Sequence, residues 1–188
     1  MSIEEDADFH FWRATGLFNE QPSKALAHLE TALAREPNHQ QALVLLGELY
    51  ILRAEELGLE STAADQTALG YFEQVLVREP KHAEAWSRKA LTLLYLNHPE
   101  EAILSAEQGL SVLASRVGYG MESGPVHTNV AEALFDVKIR ALLELGRTDE
   151  VRQTLFAGLV YCPGSKFLTR HVKAVTPLFH ETGPEPIR

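Results

Sequence analysis

The sequence has few of the residues on which several classes of protein depend. One cysteine in 188 residues cannot form a disulfide within the chain, and it cannot build a thiolate zinc site. Only 17 lysines and arginines stand against 26 acidic residues, and the net charge of -9 disfavours a nucleic-acid-binding protein, which needs a basic face. No apolar run approaches the roughly 18 residues that a membrane-spanning helix requires. We therefore expect neither nucleic acid nor a membrane span to feature in its function.

Sequence patterns of catalytic and metal sites are also missing. The eight histidines include no pair at helical metal-binding spacing and no His-Glu-x-x-His sequence. The chain has neither Gly-x-Ser-x-Gly nor the glycine-rich loop that holds phosphates. Cys162 stands just before Pro163, and nothing in the sequence supports its being reactive. We expect no enzyme activity, no cofactor and no metal ion, and hence no catalytic, cofactor-binding or metal-ligating residues.

Acidic residues are concentrated towards the N-terminus. Residues 1–60 carry 11 acids and 4 bases, whereas residues 131–188 carry 7 acids and 8 bases. This imbalance is typical of solvated helix faces, and it also fits a surface that attracts a basic partner or the basic end of a second copy. The sequence starts MSIEED, which is acidic where a secretory signal would be basic and then apolar, so a cytoplasmic location is predicted.

Two parts of the chain repeat one another. Residues 40–50 align with residues 83–93, and each block follows a Glu-Pro-x-His sequence, at residues 36–39 and 79–82. In these blocks and in the segments after them, apolar residues recur at i, i+3, i+4 and i+7, which indicates amphipathic helices. Prolines stand where such helices begin or have just ended, at Pro22, Pro37, Pro80, Pro99 and Pro163. The pattern predicts stacked pairs of helices.

The aligned residues resemble the tetratricopeptide repeat, a unit of about 34 residues written W-x2-L-G-x2-Y, then A-x3-F, then A and P. Two adjacent units match best, through Leu43, Leu46, Gly47, Tyr50, Ala68, Phe72 and Pro80, and through Trp86, Ala90, Leu93, Ala102, Ala106 and Gly109. The flanking units match less well, through Phe9, Trp12, Ala25, Leu29, Ala32 and Pro37, and through Phe135, Leu142, Gly146, Leu155, Gly158 and Pro163. The resemblance implies an all-α fold, a right-handed superhelical stack of helix-turn-helix repeats (an α-solenoid) with a C-terminal capping helix.

These units predict one domain over residues 1–180. Its repeats are expected at about 6–39, 40–82, 83–116 and 132–165, its capping helix at about 165–176, ending near Pro177, and a frayed tail at 181–188. Small residues such as Gly47 and Ala68 are expected where the two helices of a unit cross closely. Arg13 stands at that small position in the first unit, and Ile139 in the last.

Two segments do not fit the repeat. Residues 54–67 lengthen the second unit, and we expect the helix on each side to be about one turn longer, with Ser61 or Thr62 as an N-cap. Residues 115–129 are predicted as a long loop, which is either a plain connector or a flap over the groove. Tyr119 and Met121 are its large side chains and would make the contacts of a flap.

In this family the first helix of each repeat lines a concave wall, so the resemblance also implies a set of groove residues. They are His10, Gln41, Val44, Glu48, Ile51, Ser87, Arg88, Leu91, Asp136 and Arg140. An apolar strip beside charges of both signs favours a helix or an extended segment with apolar anchors and flanking charges. Relatives that hold the carboxylate of chaperone tails use Lys and Asn where this chain has His10, Ala14, Val44 and Glu48, so that clamp is absent.

The resemblance therefore implies a non-enzymatic scaffold or adaptor that binds a peptide or helix of a protein partner in its concave groove. Two alternatives stay open. One is a self-assembling structural protein, a homo-oligomer in which the acidic N-terminal surface meets the basic C-terminal surface of another copy. The other is a cytoplasmic chaperone of the secretion type.

Overall fold

The computed structural model describes residues 5–117 and 125–180, and these contain helices and no strand. The helices are α1 (Ala7–Leu17), α2 (Pro22–Arg35), α3 (Gln40–Arg53), α4 (Ser61–Arg78), α5 (Ala83–Tyr95), α6 (Pro99–Val117), α7 (Pro125–Glu144), α8 (Thr148–Tyr161) and α9 (Lys166–His180). Tyr119 and Met121 of the predicted flap, and the predicted tail at 181–188, lie outside the described residues.

Histidine side chains cap two of these helices at equivalent places in the repeat. The Nδ1 atom of His39 accepts a hydrogen bond from the backbone N–H of Ala42, and that of His82 accepts one from the N–H of Ala85, each at 3.2 Å. Each bond satisfies one of the backbone donors that a helix leaves unpaired in its first turn. The repeated Glu-Pro-x-His sequence is therefore the start signal of α3 and α5.

Consecutive helices pack against each other along the whole stack, from α1 on α2 to α8 on α9. The odd-numbered helices also approach their odd-numbered neighbours, whereas within the described residues the even-numbered helices do not come equally close to one another. The even-numbered helices are therefore spaced further apart than the odd-numbered ones. The stack curves accordingly, and its concave face is lined by α1, α3, α5, α7 and α9. The predicted all-α stack of helix pairs is confirmed.

Glycine allows the helices of three units to cross closely. A Cβ atom added to Gly47 would stand 2.6 Å from the ring of Phe72 on α4, and one added to Gly109 would stand 2.7 Å from Leu134 on α7. Gly158 would meet Leu168 in the same way at 2.9 Å. Phe72, Leu134 and Leu168 are fully buried, so the space at these glycines is filled by core side chains of the neighbouring helix.

The segment 54–67 lengthens only one of the two helices that flank it. α3 has 14 residues, as many as α2, whereas α4 has 18, so the predicted extension of α3 is wrong. After α3 the chain makes hydrogen-bonded turns and leaves the helix at Gly58, whose φ of +69° is a left-handed conformation that glycine adopts without steric cost. The N-cap of α4 is Glu60, not Ser61 or Thr62, because its carboxylate accepts hydrogen bonds from two backbone N–H groups at 3.0 and 2.7 Å.

The long loop predicted at 115–129 is also wrong in its bounds. α6 continues to Val117, and α7 begins at Pro125, where proline suits the first helical position because its missing N–H would have no partner there. The last helix is longer than predicted, since it passes through Pro177 and ends at His180. Proline keeps a helical φ and disturbs mainly the turn before it, so one proline near the end of α9 does not stop the helix.

The register of α1 differs from the prediction by one residue. Ala14 is fully buried against α2, whereas Arg13 is exposed, so Ala14 and not Arg13 takes the small position of the first unit. The cause is the length of the connection, because Ala14 precedes its counterpart Ala25 by 11 positions whereas Ala90 precedes Ala102 by 12. Within the described parts of the chain, no helix combines the length and apolarity needed to cross a bilayer.

The close crossing at Gly47 can be tested with alanine. Gly47→Ala should destabilise the protein by about 1–3 kcal/mol, because its Cβ must displace the buried Phe72 ring. Gly70→Ala, in the middle of α4, is the matched control: nothing lies within 4 Å of its added Cβ, and the helix should gain about 0.5–1 kcal/mol. Urea unfolding measures both, and equal effects at the two sites would contradict the crossing.

Candidate functional site

A groove on the concave face is bounded by α1, α3 and the start of α5. Its volume is about 200 Å³, and its lining is more apolar than polar. The lining residues are Phe11, Thr15, Gln41, Val44, Leu45, Glu48, His82 and Glu84. Gln41, Val44 and Glu48 are three and four residues apart, so they form one stripe along α3 that faces the groove. We call this space the N-terminal groove.

An ion pair joins α3 to α5 at one wall of the N-terminal groove. The Nε atom of Arg88 lies 2.5 Å from a carboxylate oxygen of Glu48, and a second guanidinium nitrogen lies 3.9 Å from Glu84. The side chain of Glu48 is only 17% exposed and that of Arg88 is 34% exposed. A pair this shielded from water keeps more of its Coulomb energy than a surface pair, but it also carries a desolvation cost.

At Glu48, the effect of burial on the pKa of the carboxyl is larger than the effect of the attraction to Arg88. Burial raises the pKa of the Glu48 carboxyl, the nearby charge of Glu84 adds to the rise, and the opposite charge of Arg88 offsets only part of it. The ionised form of Glu48 is therefore less favourable in the folded protein than in the unfolded chain. The pair with Arg88 is thus held in place at an energetic cost, which is common where a charged group serves binding.

A second space adjoins the first at the edge of the stack where α3 and α5 begin. Its volume is about 580 Å³. The lining residues are Asp8, Glu36, Asn38, His39, Gln40, Gln41 and His82. Gln41 and His82 line both spaces, so the two are neighbours at this edge of the stack. The Nε2 atom of His39 lies 3.0 Å from a carboxylate oxygen of Asp8; since the Nδ1 atom of His39 accepts the capping bond, Nε2 is the donor.

At the other end of the concave face, α9 packs against α7. A cavity of about 300 Å³ lies between α7 and α9, lined by Asn129, Glu132, Ala133, Asp136 and Phe167. Burial alone would raise the pKa of Asp136, but the hydrogen bond and charge of His171, at 2.6 Å, together with the charge of Arg140, outweigh it and hold the pKa below its usual value. Asp136 is therefore engaged both with Arg140 on its own helix and with His171 on α9.

The ten predicted groove residues do not all meet in one site. Gln41, Val44 and Glu48 line the N-terminal groove, and Arg88 contacts it through Glu48. Asp136 lines the C-terminal cavity, with Arg140 beside it. The remaining predicted residues pack into the protein: Ser87 is buried, Ile51 and Leu91 contact core clusters, and His10 lies between α1 and α2.

His10 is displaced from the groove by the register of α1. It is buried, and its Nδ1 atom lies 3.0 Å from the Nδ1 atom of His28 on α2. Phe11 and Thr15 face the groove in its place. Sequence reasoning missed these two residues, as well as Phe167 on α9; the shorter spacing between Ala14 and Ala25 was the signal that could have found the first two.

Within the ranges that the structure describes, no group of three or more His, Cys, Asp or Glu side chains is arranged to hold a metal ion. Cys162 is buried at the end of α8, and burial raises the pKa of its thiol to about 11. At neutral pH this cysteine is therefore a protonated thiol, which is a poor nucleophile. The concave face offers an apolar floor, carboxylates, and histidine and amide hydrogen-bonding groups.

Comparison with known proteins agrees with the helical repeats. The family model for the tetratricopeptide repeat matches residues 17–59 and 66–111. A thermophilic TPR protein of Thermus thermophilus is similar in structure, with 20% identity, a TM-score of 0.66, and coverage of 92% of this chain and 82% of its own. PilW, a type IV pilus biogenesis factor, is similar with 18% identity, a TM-score of 0.70, and coverage of 93% of this chain and 70% of its own.

The Sgt2 TPR domain of Aspergillus fumigatus is similar over a shorter part of this chain, with 19% identity, a TM-score of 0.54, and coverage of 75% of this chain and 82% of its own. No curated protein matches the chain significantly in sequence. At these identities the solved structures establish the fold and nothing about the partner.

The cost of the buried Glu48 charge predicts a dependence of stability on pH. Because the pKa of Glu48 is raised in the folded protein, its contribution to stability grows as the pH falls from about 7 towards the unfolded value of 4.5. The free energy of unfolding of the wild type should therefore rise relative to that of Glu48→Gln over this range. Urea unfolding at several pH values measures the difference.

Glu60→Gln is the control of opposite sign. Hydrogen bonds from the backbone of Thr62 and Ala63 lower the pKa of Glu60, so its contribution is present above the unfolded pKa and is lost as the pH falls through the folded pKa. Relative to Glu60→Gln, the wild type should lose stability on acidification. The difference in the free energy of unfolding between the wild type and Glu48→Gln should rise on acidification. If it stays constant, or falls as the difference for Glu60→Gln does, the burial of the Glu48 charge is contradicted.

Proposed function

Because this chain belongs to the tetratricopeptide repeat family, we propose that it is a cytoplasmic scaffold or adaptor that binds a segment of a protein partner in its N-terminal groove. The observation that carries the proposal is the pair of neighbouring spaces beside α3, which together offer an apolar floor with polar and charged walls. Such a surface suits an extended or helical segment that places an apolar side chain on the floor.

The floor supplies the affinity in this proposal. Phe11, Val44 and Leu45 come from two different helices, and the curvature of the stack leaves room above them. An apolar side chain seated there would gain about 25 cal/mol for each Å² of apolar surface removed from water. A short segment buries less than the roughly 1,600 Å² of a standard interface, so we expect binding that is specific and transient.

The walls supply orientation. Gln41 is exposed beside the floor, and Glu84 and His82 stand at the start of α5. These groups can pair with the backbone or with polar side chains of a bound segment. The role proposed is thus binding and not catalysis.

A self-associating protein is the second candidate. It is favoured by exposed apolar residues on the outer face of α8, where Phe156 is 72% exposed and Val160, one turn later, is 66% exposed. Large side chains of this kind, one turn apart on one helix face, are typical of an interface.

The groove can be tested by filling it. Thr15→Trp adds an indole beside Phe11 at an exposed position, where it should occupy the space of a bound segment without disturbing the core. Peptides selected on the wild-type protein from a random phage-displayed library should bind this variant about tenfold more weakly, the size expected for loss of an anchor contact. Fluorescence anisotropy with the selected peptides, made synthetically, measures the change.

Thr67→Trp on α4 is the matched control. Thr67 is exposed, and its hydroxyl donates to the carbonyl four residues earlier, as that of Thr15 does. It should leave peptide binding unchanged. Selected peptides that bind both variants as tightly as the wild type would contradict the groove as the site, and so would a wild-type protein that enriches no peptide.

Self-association makes a separate prediction. If α8 forms an interface between copies, light scattering should give the mass of an oligomer, and Phe156→Ser with Val160→Ser should give that of a monomer, because the apolar contact is lost. A wild-type protein that is monomeric at low and high salt would rule this candidate out.

A further inference from the structure

We infer that the segment which binds the N-terminal groove is basic, with Lys or Arg next to one apolar anchor residue. This inference rests on the proposed function and adds the chemistry of the partner to it. It follows from the charges that surround the apolar floor.

All the formally charged residues that line the two spaces are acidic. They are Asp8 and Glu36 at the outer edge, Glu48 in the wall, and Glu84 at the start of α5. Lys81 and Arg35 are neighbours of lining residues in the sequence, but neither lines a space. The side chains His39 and His82 face this acidic surface as hydrogen-bonding groups whose Nδ1 atoms are used as helix caps.

The arginine that reaches the wall is already engaged. Arg88 is held by Glu48 at 2.5 Å and lies 3.9 Å from Glu84. It offsets one of the four acidic charges and leaves the groove with a net negative charge. Glu36 and Glu84 remain exposed near the floor, where they can reach the side chains of a bound segment.

The positions of these acids predict where the basic residues of the partner stand. Glu84 lies in the first turn of α5, and Asp8 and Glu36 line the neighbouring space at the same edge of the stack, where α3 and α5 begin. An apolar residue seated on Phe11 and Val44 would therefore have these acids beside it at that edge. A segment with carboxylates there would meet like charges, at a cost that disfavours it.

This chemistry differs between the two ends of the concave face. In the C-terminal cavity two acids line the wall, and one of them, Asp136, is compensated by His171 and Arg140. The larger group of acids, Asp8, Glu36, Glu48 and Glu84, lines the two spaces at the N-terminal end, in agreement with the excess of acidic residues over residues 1–60. The apolar floor and the acidic surroundings therefore coincide at one place.

Three synthetic peptides labelled with fluorescein test the inference. Each has about 12 residues, enough to cross the groove in an extended conformation. The first has one central Leu flanked by Lys and Arg; the second has Glu in place of the basic residues; the third has Ser in place of Leu. Fluorescence anisotropy should show that the first binds about tenfold more tightly than either of the others, and that its affinity falls between about 50 and about 300 mM sodium chloride.

Charge reversal in the groove gives the decisive comparison. The double variant Glu36→Lys and Glu84→Lys should weaken binding of the basic peptide about tenfold and strengthen that of the acidic peptide. The control is Glu20→Lys with Glu55→Lys, which makes the same change in net charge in the connections after α1 and α3, at the edge of the stack away from Glu36. It should leave the preference for the basic peptide intact, and circular dichroism checks the helical fold of both variants.

The outcomes separate this inference from the proposed function. Three outcomes would overturn the inference that the bound segment is basic. They are tighter binding of the acidic peptide, equal binding of all three peptides, and equal weakening of binding by the two double variants. In those cases the groove still stands as the site if the peptides selected from the phage library lose affinity for Thr15→Trp. Conversely, if the basic peptide binds the wild type and Thr15→Trp equally, both the groove as the binding site and the basic character of the partner are overturned.

Discussion

The close crossing of helices at small residues is the constraint on which the rest of this structure depends. Gly47 admits the ring of Phe72, and Gly109 and Gly158 admit leucines of the next helix. Each contact lets two helices approach to a distance at which their apolar stripes seal against water, and no single pair could bury its stripe alone. The fold is therefore a sum of neighbour contacts, with the smallest residue at the tightest point of each.

The groove is a consequence of that packing. The odd-numbered helices approach one another and the even-numbered helices do not, so the stack curves towards α1, α3 and α5 over the described residues. Curvature brings Phe11 of the first helix opposite Val44 of the third and leaves a space between them. At the C-terminal end α9 lies against α7 through His171 and Asp136, so the cavity there contains an acid that is already paired within the chain.

Electrostatics divides the concave face into two parts with different roles. The Glu48 carboxylate is shielded from water, which makes its charged form unfavourable, and the charge of Arg88 offsets this desolvation cost only in part. The exposed acids Glu36 and Glu84 remain available to a partner at the N-terminal groove, whereas Asp136 has its pKa lowered by contacts within the chain. A basic segment with one apolar residue would complete the contacts that the chain leaves open, and a second copy through α8 would use a different face.

The sequence by itself determined that the chain forms paired helices and that they cross closely at Gly47, because apolar periodicity and small residues at fixed spacing have one good solution in a stack of repeats. It also located Gln41, Val44 and Glu48 on one stripe of α3. It could not place α1, since a connection shorter by one residue rotates His10 inward and Phe11 and Thr15 into the groove. Only the tertiary structure decided which charges compensate one another, because Glu48 with Arg88 and Asp136 with His171 are pairs across helices whose distances no sequence spacing fixes.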